Sequence, residues 1–282
     1  MEISVGNYRF HGTQLHQPSA RTTPLLFLHG FMGCCEDWQA VVQEWKRLPG
    51  DLLPAIYALD LPAHGGTRLF EDCPAGYGMA ITARAVKQWT QKVQPGPWAI
   101  AGYSMGGRLA LYIAANFAEH FLVTIAIAAS PGLALERDRQ ARQTLDSQRA
   151  HTLEQCAKDG TFGNFLEHWY QMPLFSNLAK HPNFGTMLSR RRRNNPNLLA
   201  KSLHYLGLGQ QPFLVPALAD YPGNLHLVVG DHDSKFIEMN QAITRHCPRA
   251  QLALIPNSGH MVPLENPAAL ARLLSKALVS KP

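Results

Sequence analysis

Paired cysteine spacings, long apolar runs and a signal-like start are all missing from this chain, and each absence narrows what it can be. Its five cysteines, Cys34, Cys35, Cys73, Cys156 and Cys247, are odd in number and show no Cys-x-x-Cys spacing, so they read as reduced structural thiols of a cytoplasmic protein. No apolar stretch reaches the roughly 18 residues that a membrane span requires. The start, Met-Glu-Ile-Ser-Val, lacks the basic and apolar regions of a signal peptide, so the expectation is a soluble intracellular protein with no membrane span. The thirteen histidines lack ligand spacing, which leaves no metal or organic cofactor implied. Basic residues are present without interleaved aromatics or a helix-turn-helix pattern, which argues against a nucleic-acid partner.

What is there begins with size: 282 residues at 46% hydrophobic content exclude disorder and allow a large core. The net charge of +6 is uneven. Between Pro131 and Phe213 eleven Arg and Lys face six acids, so this middle region carries +5 of the total. A patch of that kind can recruit nucleic acid, anionic lipid or an acidic small molecule.

Short apolar runs recur with helical segments between them, at Pro24–Leu28, Ala55–Leu59, Trp98–Ala101, Val123–Ala129, His226–Val229 and Gln251–Ile255. Helical patterns fall at Ala80–Val93, Met105–Ala118, Lys235–Arg245 and Pro267–Leu278. This alternation predicts an α/β fold with a mostly parallel central sheet flanked by helices, its strands covered on both faces. The rhythm breaks from Pro131 to Pro216, where helical stretches interrupted by Gly160, Pro173, Pro182, Pro196 and Pro212 contain no convincing strand. The expected organisation is a core of residues 1–130 and 214–282 with an inserted helical lid at 131–213.

Gly102-Tyr103-Ser104-Met105-Gly106 lies between an apolar run and a helical run, the setting of a nucleophile elbow that lifts a serine hydroxyl off the end of a sheet. Such a serine needs a base, and the base an orienting carboxylate. Loops after later strands supply both: Asp231-His232-Asp233 after one, and Gly259-His260 after the other. The order Ser104, Asp233, His260 suits this class of site, with Asp233 preferred to Asp231 because the first residue past Gly230 is still leaving the strand. The alternative for Asp233 is a plain cap of the helix beginning near Ser234. Backbone amides of Met105, after the nucleophile, and of Phe31, after Leu28-His29-Gly30, are the candidate oxyanion donors. His29 reads as a loop-fixing residue, and Asp60 to Gly66 as a tight structural turn.

Taken together these motifs resemble the α/β-hydrolase superfamily. Closer matching is carried by Gly102 to Arg108, Ser130-Pro131-Gly132-Leu133, Trp169-Tyr170-Gln171 with Pro173 and Phe175, Asn195-Pro196, and Gly230 with Asp233-Ser234-Lys235-Phe236. These are similar to the 2-succinyl-6-hydroxy-2,4-cyclohexadiene-1-carboxylate synthases of menaquinone and phylloquinone synthesis, over about Leu25 to Leu274. One departure is visible: many members carry Gly-His-Gly where this chain has Ala63-His64-Gly65.

The resemblance implies a lyase with an α/β-hydrolase fold. It would eliminate pyruvate from the tricarboxylate 2-succinyl-5-enolpyruvyl-6-hydroxy-3-cyclohexene-1-carboxylate, with the Ser-His-Asp triad removing a proton. Arg108, Arg142 and Arg191 would grip the carboxylates, with Arg192 as the other choice within the run, while Trp169 and Tyr103 would flank the ring and the serine. Plainer roles stand beside these: Arg142 paired with Asp138 or Asp146 along a helix, Trp169 as lid core, and the arginine run as a solvated face with one member turned inward. The competing activity is a serine ester or carbon-carbon bond hydrolase acting on an anionic substrate.

Overall fold

The computed structural model describes residues 1–18, 22–50 and 53–279. Its strands are β1 (Glu2–Val5), β2 (Tyr8–His16), β3 (Leu25–Leu28), β4 (Ile56–Leu59), β5 (Arg68–Leu69), β6 (Trp98–Tyr103), β7 (Phe121–Ile127), β8 (Asn224–Gly230) and β9 (Ala250–Ile255). They make one sheet in the order β1-β2-β4-β3-β6-β7-β8-β9, with β5 attached to β2. From β4 to β9 the pairing along this path is parallel. The α/β architecture expected from the alternation is therefore present.

Strands β3, β4 and β6 are buried at every position, as strands sandwiched between helix layers must be. One face packs against Trp38 and Trp45, with Phe27 stacked on Trp38 at 4.2 Å between ring centroids. The other carries Trp89 and Trp98 around Tyr57. Three strands, β1, β2 and β5, and the helix Gln39–Lys46 were not anticipated. The three strands are antiparallel additions at the sheet margin. In β2 buried Tyr8, Phe10 and Gly12 alternate with more exposed Arg9, His11 and Thr13, a pattern unlike the continuous apolar runs of the central strands.

Position of the site follows from connectivity. After β3 the chain steps outward to β4 and then returns to β6 on the other side of β3. The carboxyl ends of β3 and β6 thus lie side by side, with Leu28 opposite Gly102, and such a switch point opens the crevice where ligands bind in open α/β sheets. Between β7 and β8 no strand occurs among the described residues. The segment instead forms helices Glu136–Asp159, Phe162–Tyr170, Phe184–Arg191 and Pro196–Leu206 with shorter turns, and no described helix is long and apolar enough to cross a membrane.

Candidate active site

Ser104 follows β6 with φ 51° and ψ −107°, a conformation costing about 1–3 kcal/mol for a residue with a side chain. Bonds on both sides hold it there: its amide donates to the Ile127 carbonyl at 2.8 Å, and its carbonyl accepts from Arg108 N–H at 2.8 Å. The flanking glycines are sterically required. A Cβ on Gly102 would run into the Gly106 carbonyl, and one on Gly106 into the carbonyls of Leu28 and His29. Gly30 is equally constrained, since its Cβ would lie 2.7 Å from the Tyr103 ring. The loop after β3 is thereby pressed directly onto the elbow.

The imidazole of His260 bridges the other two expected partners. Its Nε2 lies 3.2 Å from Ser104 Oγ and its Nδ1 2.8 Å from Asp233 Oδ2. Histidine and aspartate are both buried, at 3% and 7% exposure, so bulk water does not compete for these contacts. Asp233 also caps a helix: its other oxygen accepts Phe236 N–H at 3.4 Å at the start of Ser234–His246. Asp231 has a different task, accepting Ser258 N–H at 3.1 Å and so tying the histidine loop to the end of β8. Glu265, not foreseen from sequence, accepts the amides of Gly259 and Met261 at 2.7 and 2.8 Å, one on each side of His260.

Among the described residues neither Phe31 N–H nor Met105 N–H meets an acceptor. The Phe31 loop is fixed from behind by two buried imidazoles. His29 Nε2 accepts Leu61 N–H at 2.9 Å, and His64 Nε2 accepts Met32 N–H at 3.0 Å. Burial lowers the pKa of both, that of His64 to about 3 with help from its neighbour His29, which keeps these acceptor nitrogens unprotonated. Ala63 of the adjoining turn has φ 73°, a conformation that favours glycine, as the resemblance would place there; its β-carbon is tolerated at a cost of about 1–2 kcal/mol.

The helical segment reaches down onto this centre. Trp169, half-buried, lies 5.2 Å from the Phe31 ring and 5.7 Å from Phe165, while Phe175 meets the His260 ring edge-on at 5.9 Å. Tyr103 is buried beside the same imidazole at 5.6 Å.

Arg108 donates to the Leu206 carbonyl at 2.7 Å and to Gln211 Oε1 at 3.2 Å, and no carboxylate pairs with it among the described residues. Burial, and then the charge of nearby Arg142, pull its pKa down to about 10 against the opposing pull of Asp146. Arg142 uses Nε to reach Asp146 Oδ1 at 2.8 Å, the helical pairing weighed as its plainer role. Arg149, missed from sequence, completes the group: its guanidinium stacks over Trp169 at 5.2 Å, 4.0 Å from the same Asp146. Its spacing of seven from Arg142 places both on one helix face, a signal that was available. Two guanidiniums thus face one buried carboxylate, and Arg108 lies near enough to feel the charges of Arg142 and Asp146.

The arginine run has one inward member. Arg191, expected as the third carboxylate clamp, directs NH1 and NH2 to Asp37 Oδ1 and Oδ2 at 3.0 and 2.7 Å, and Nε to the Tyr170 hydroxyl at 3.3 Å. Three of its five N–H donors are thus engaged within the protein, with Asp37 as the carboxylate partner. Arg192, the other choice, is half-exposed and 3.8 Å from Glu167.

The model of the alpha/beta hydrolase family matches residues 25–273. A 2-succinyl-6-hydroxy-2,4-cyclohexadiene-1-carboxylate synthase from Enterobacter sp. (strain 638) is 33% identical over 90% of this chain and 91% of its own length. The Salmonella heidelberg (strain SL476) protein of the same name is 30% identical over 93% and 97%. Protein PHYLLO, chloroplastic, of Arabidopsis thaliana is 30% identical over 92% of this chain, which spans only 16% of that longer protein. Among solved structures, MenH from S. aureus superposes with a TM-score of 0.84 at 24% identity, covering 97% of this chain and 98% of its own, a likeness of fold. With near-complete coverage at this identity, the chain belongs to the alpha/beta hydrolase family and, within it, to the 2-succinyl-6-hydroxy-2,4-cyclohexadiene-1-carboxylate synthases.

Proposed function

We propose that this chain eliminates pyruvate from 2-succinyl-5-enolpyruvyl-6-hydroxy-3-cyclohexene-1-carboxylate, using Ser104 as a proton relay to His260. The observation that carries this reading is the excess of guanidinium between the elbow helix and the helix Glu136–Asp159: Arg142 and Arg149 face the single carboxylate of Asp146, and Arg108, close enough to feel both charges, pairs with no carboxylate among the described residues. A buried cation without a full counter-charge carries a desolvation penalty of several kcal/mol, which an anionic substrate relieves. Three carboxylates on the substrate match that need.

The reaction begins at the ring carbon next to the succinyl ketone. Ser104 Oγ takes the proton from this carbon and passes its own to His260 Nε2, and the electron pair moves onto the ketone oxygen as an enolate. The amides of Phe31 and Met105 hold that oxygen, each worth about 3 kcal/mol of barrier. Collapse of the enolate through the ring double bond breaks the carbon-oxygen bond, and the enolpyruvyl group leaves to become pyruvate on protonation. Asp233 keeps the imidazole hydrogen on Nδ1, so Nε2 is free to accept. Residues 131–213 act as the lid, with Trp169 and Phe175 covering the reacting atoms.

A coupled assay of pyruvate release from the enolpyruvyl substrate, made in situ, tests the assignment. Expected are pyruvate release without a covalent serine adduct and little turnover of p-nitrophenyl esters. Rapid ester turnover without pyruvate release would instead establish a hydrolase.

Arg108→Ala and Arg149→Ala should each raise KM by about 10- to 100-fold, the loss of one charge-assisted hydrogen bond to a carboxylate. Arg137, 81% exposed, provides the control, and Arg137→Ala should leave KM unchanged. Equal effects at all three positions would show a general response to lost positive charge and would remove the clamp.

A further inference from the structure

Three ligand-bearing side chains from separate segments converge behind the Phe31 loop. A ring nitrogen of His11, the Cys35 sulfur and a carboxylate oxygen of Asp60 all lie within 4.8 Å of one another. They come from β2, from the turn entering the helix that contains Trp38, and from the end of β4, so no local spacing announces them. All three line one cavity of about 370 Å³, together with Arg68, Asn194 and Leu198. Ser104, His260 and Met105 do not line it. The cavity is thus distinct from the triad crevice.

From this arrangement we propose that His11, Cys35 and Asp60 form a binding site for a zinc-class divalent cation, with the cavity supplying access and room for a fourth, water ligand. Imidazole nitrogen, thiolate and carboxylate are the donor types zinc takes, at bond lengths of about 2.0–2.3 Å, and three protein ligands with one open position is a recurrent form. Tetrahedral bonds of that length separate ligand atoms by about 3.3–3.7 Å, so edges of the triangle as long as 4.8 Å must contract by about 1.1–1.5 Å, while the 2.8 Å edge between His11 Nδ1 and Asp60 Oδ2 must open by about 0.5 Å. His11, with a side chain 38% exposed, has freedom to make that adjustment.

Outer contacts already orient the carboxylate. Asp60 Oδ1 accepts Cys35 N–H at 2.7 Å, and Oδ2 accepts Gly66 N–H at 2.7 Å. Backbone partners of this kind fix a ligand's direction and typically change metal affinity by about 10- to 100-fold. His11 Nδ1 and Asp60 Oδ2 share a hydrogen bond of 2.8 Å. Binding through Nδ1 moves the imidazole hydrogen to Nε2, and the Cys35 thiol gives its proton to solvent as the metal–sulfur bond forms.

Zinc chloride titrated into the full chain against a chromophoric chelator tests the proposal without reference to activity. Expected are one equivalent bound per chain, release of one proton, and no binding of magnesium, which prefers oxygen ligands alone. His11→Ala and Cys35→Ser should each weaken that equivalent at least about tenfold, while His151→Ala, on an exposed helix face, leaves it unchanged. His11 is on the surface side of its strand, so its variant keeps the test open if Cys35→Ser fails to fold. Absence of a stoichiometric site, or one that persists undiminished in His11→Ala, overturns the assignment in favour of a purely structural hydrogen bond.

Discussion

Ser104→Ala is expected to slow pyruvate release by about three orders of magnitude while leaving substrate binding within a few-fold, because in the proposed mechanism the hydroxyl relays the proton from substrate carbon to imidazole. His260→Ala should cost as much. The double variant should be little worse than either single one, since two groups that move one proton fail together and not additively. A mechanism in which His260 takes the proton directly predicts a different pattern: Ser104→Ala would retain most of the rate and His260→Ala almost none. Single-turnover measurement of pyruvate in the three variants separates the two. The geometry favours the relay, with Oγ 3.2 Å from Nε2 at the mouth of the crevice and the imidazole itself sealed to 3% exposure beneath Phe175 and Phe236.

Why these atoms could be located in the sequence, while others could not, follows from the range of the forces involved. The elbow is a local object: its glycines answer clashes within five residues, and its serine sits where an apolar run gives way to a helical one. Asp233 and His260 are each fixed by the end of a buried strand, and buried strands advertise themselves by apolar runs. Arg108 inherits its place from the elbow helix. Arg191 turns inward as expected of one member of the run, but its pairing with Asp37 was not legible, because Asp37 lies 154 residues earlier and nothing in local spacing joins them. Glu265 escaped for a related reason: its role is to bind the amides flanking His260, and backbone partners leave no trace in residue type. The marginal strands were invisible to a search for continuous apolar runs, since β2 is buried on one side and half-exposed on the other.

Asp37→Ala should lower stability by about 3–5 kcal/mol, the penalty for leaving a buried guanidinium without its counter-charge, and with it Tm by on the order of ten degrees. Arg191 has a side chain only 4% exposed and Asp37 one 14% exposed, so water cannot replace the lost partner. The pair also joins the helix Phe184–Arg191 to the turn that follows the Phe31 loop, where Asp37 Oδ2 accepts Cys34 N–H at 3.3 Å. Activity should consequently fall beyond what reduced folding explains, through misplacement of the Phe31 amide. Acid should have a similar effect. Burial raises the Asp37 carboxyl, but Arg191 outweighs it and holds the pKa below the ordinary carboxylate value. A depressed folded-state pKa contributes stability that is complete above the unfolded value of about 3.9 and is lost as pH falls through the folded one, so wild type should weaken below about pH 4. Asp37→Asn should show a flatter acid limb and a lower plateau at neutral pH. Replacing both partners with leucine should recover much of the loss, since the penalty belongs to the unpaired charge and not to the absence of the pair. If instead Arg191→Ala left Tm intact and raised only KM, the guanidinium would be serving the substrate, and Asp37 would be its resting partner between turnovers.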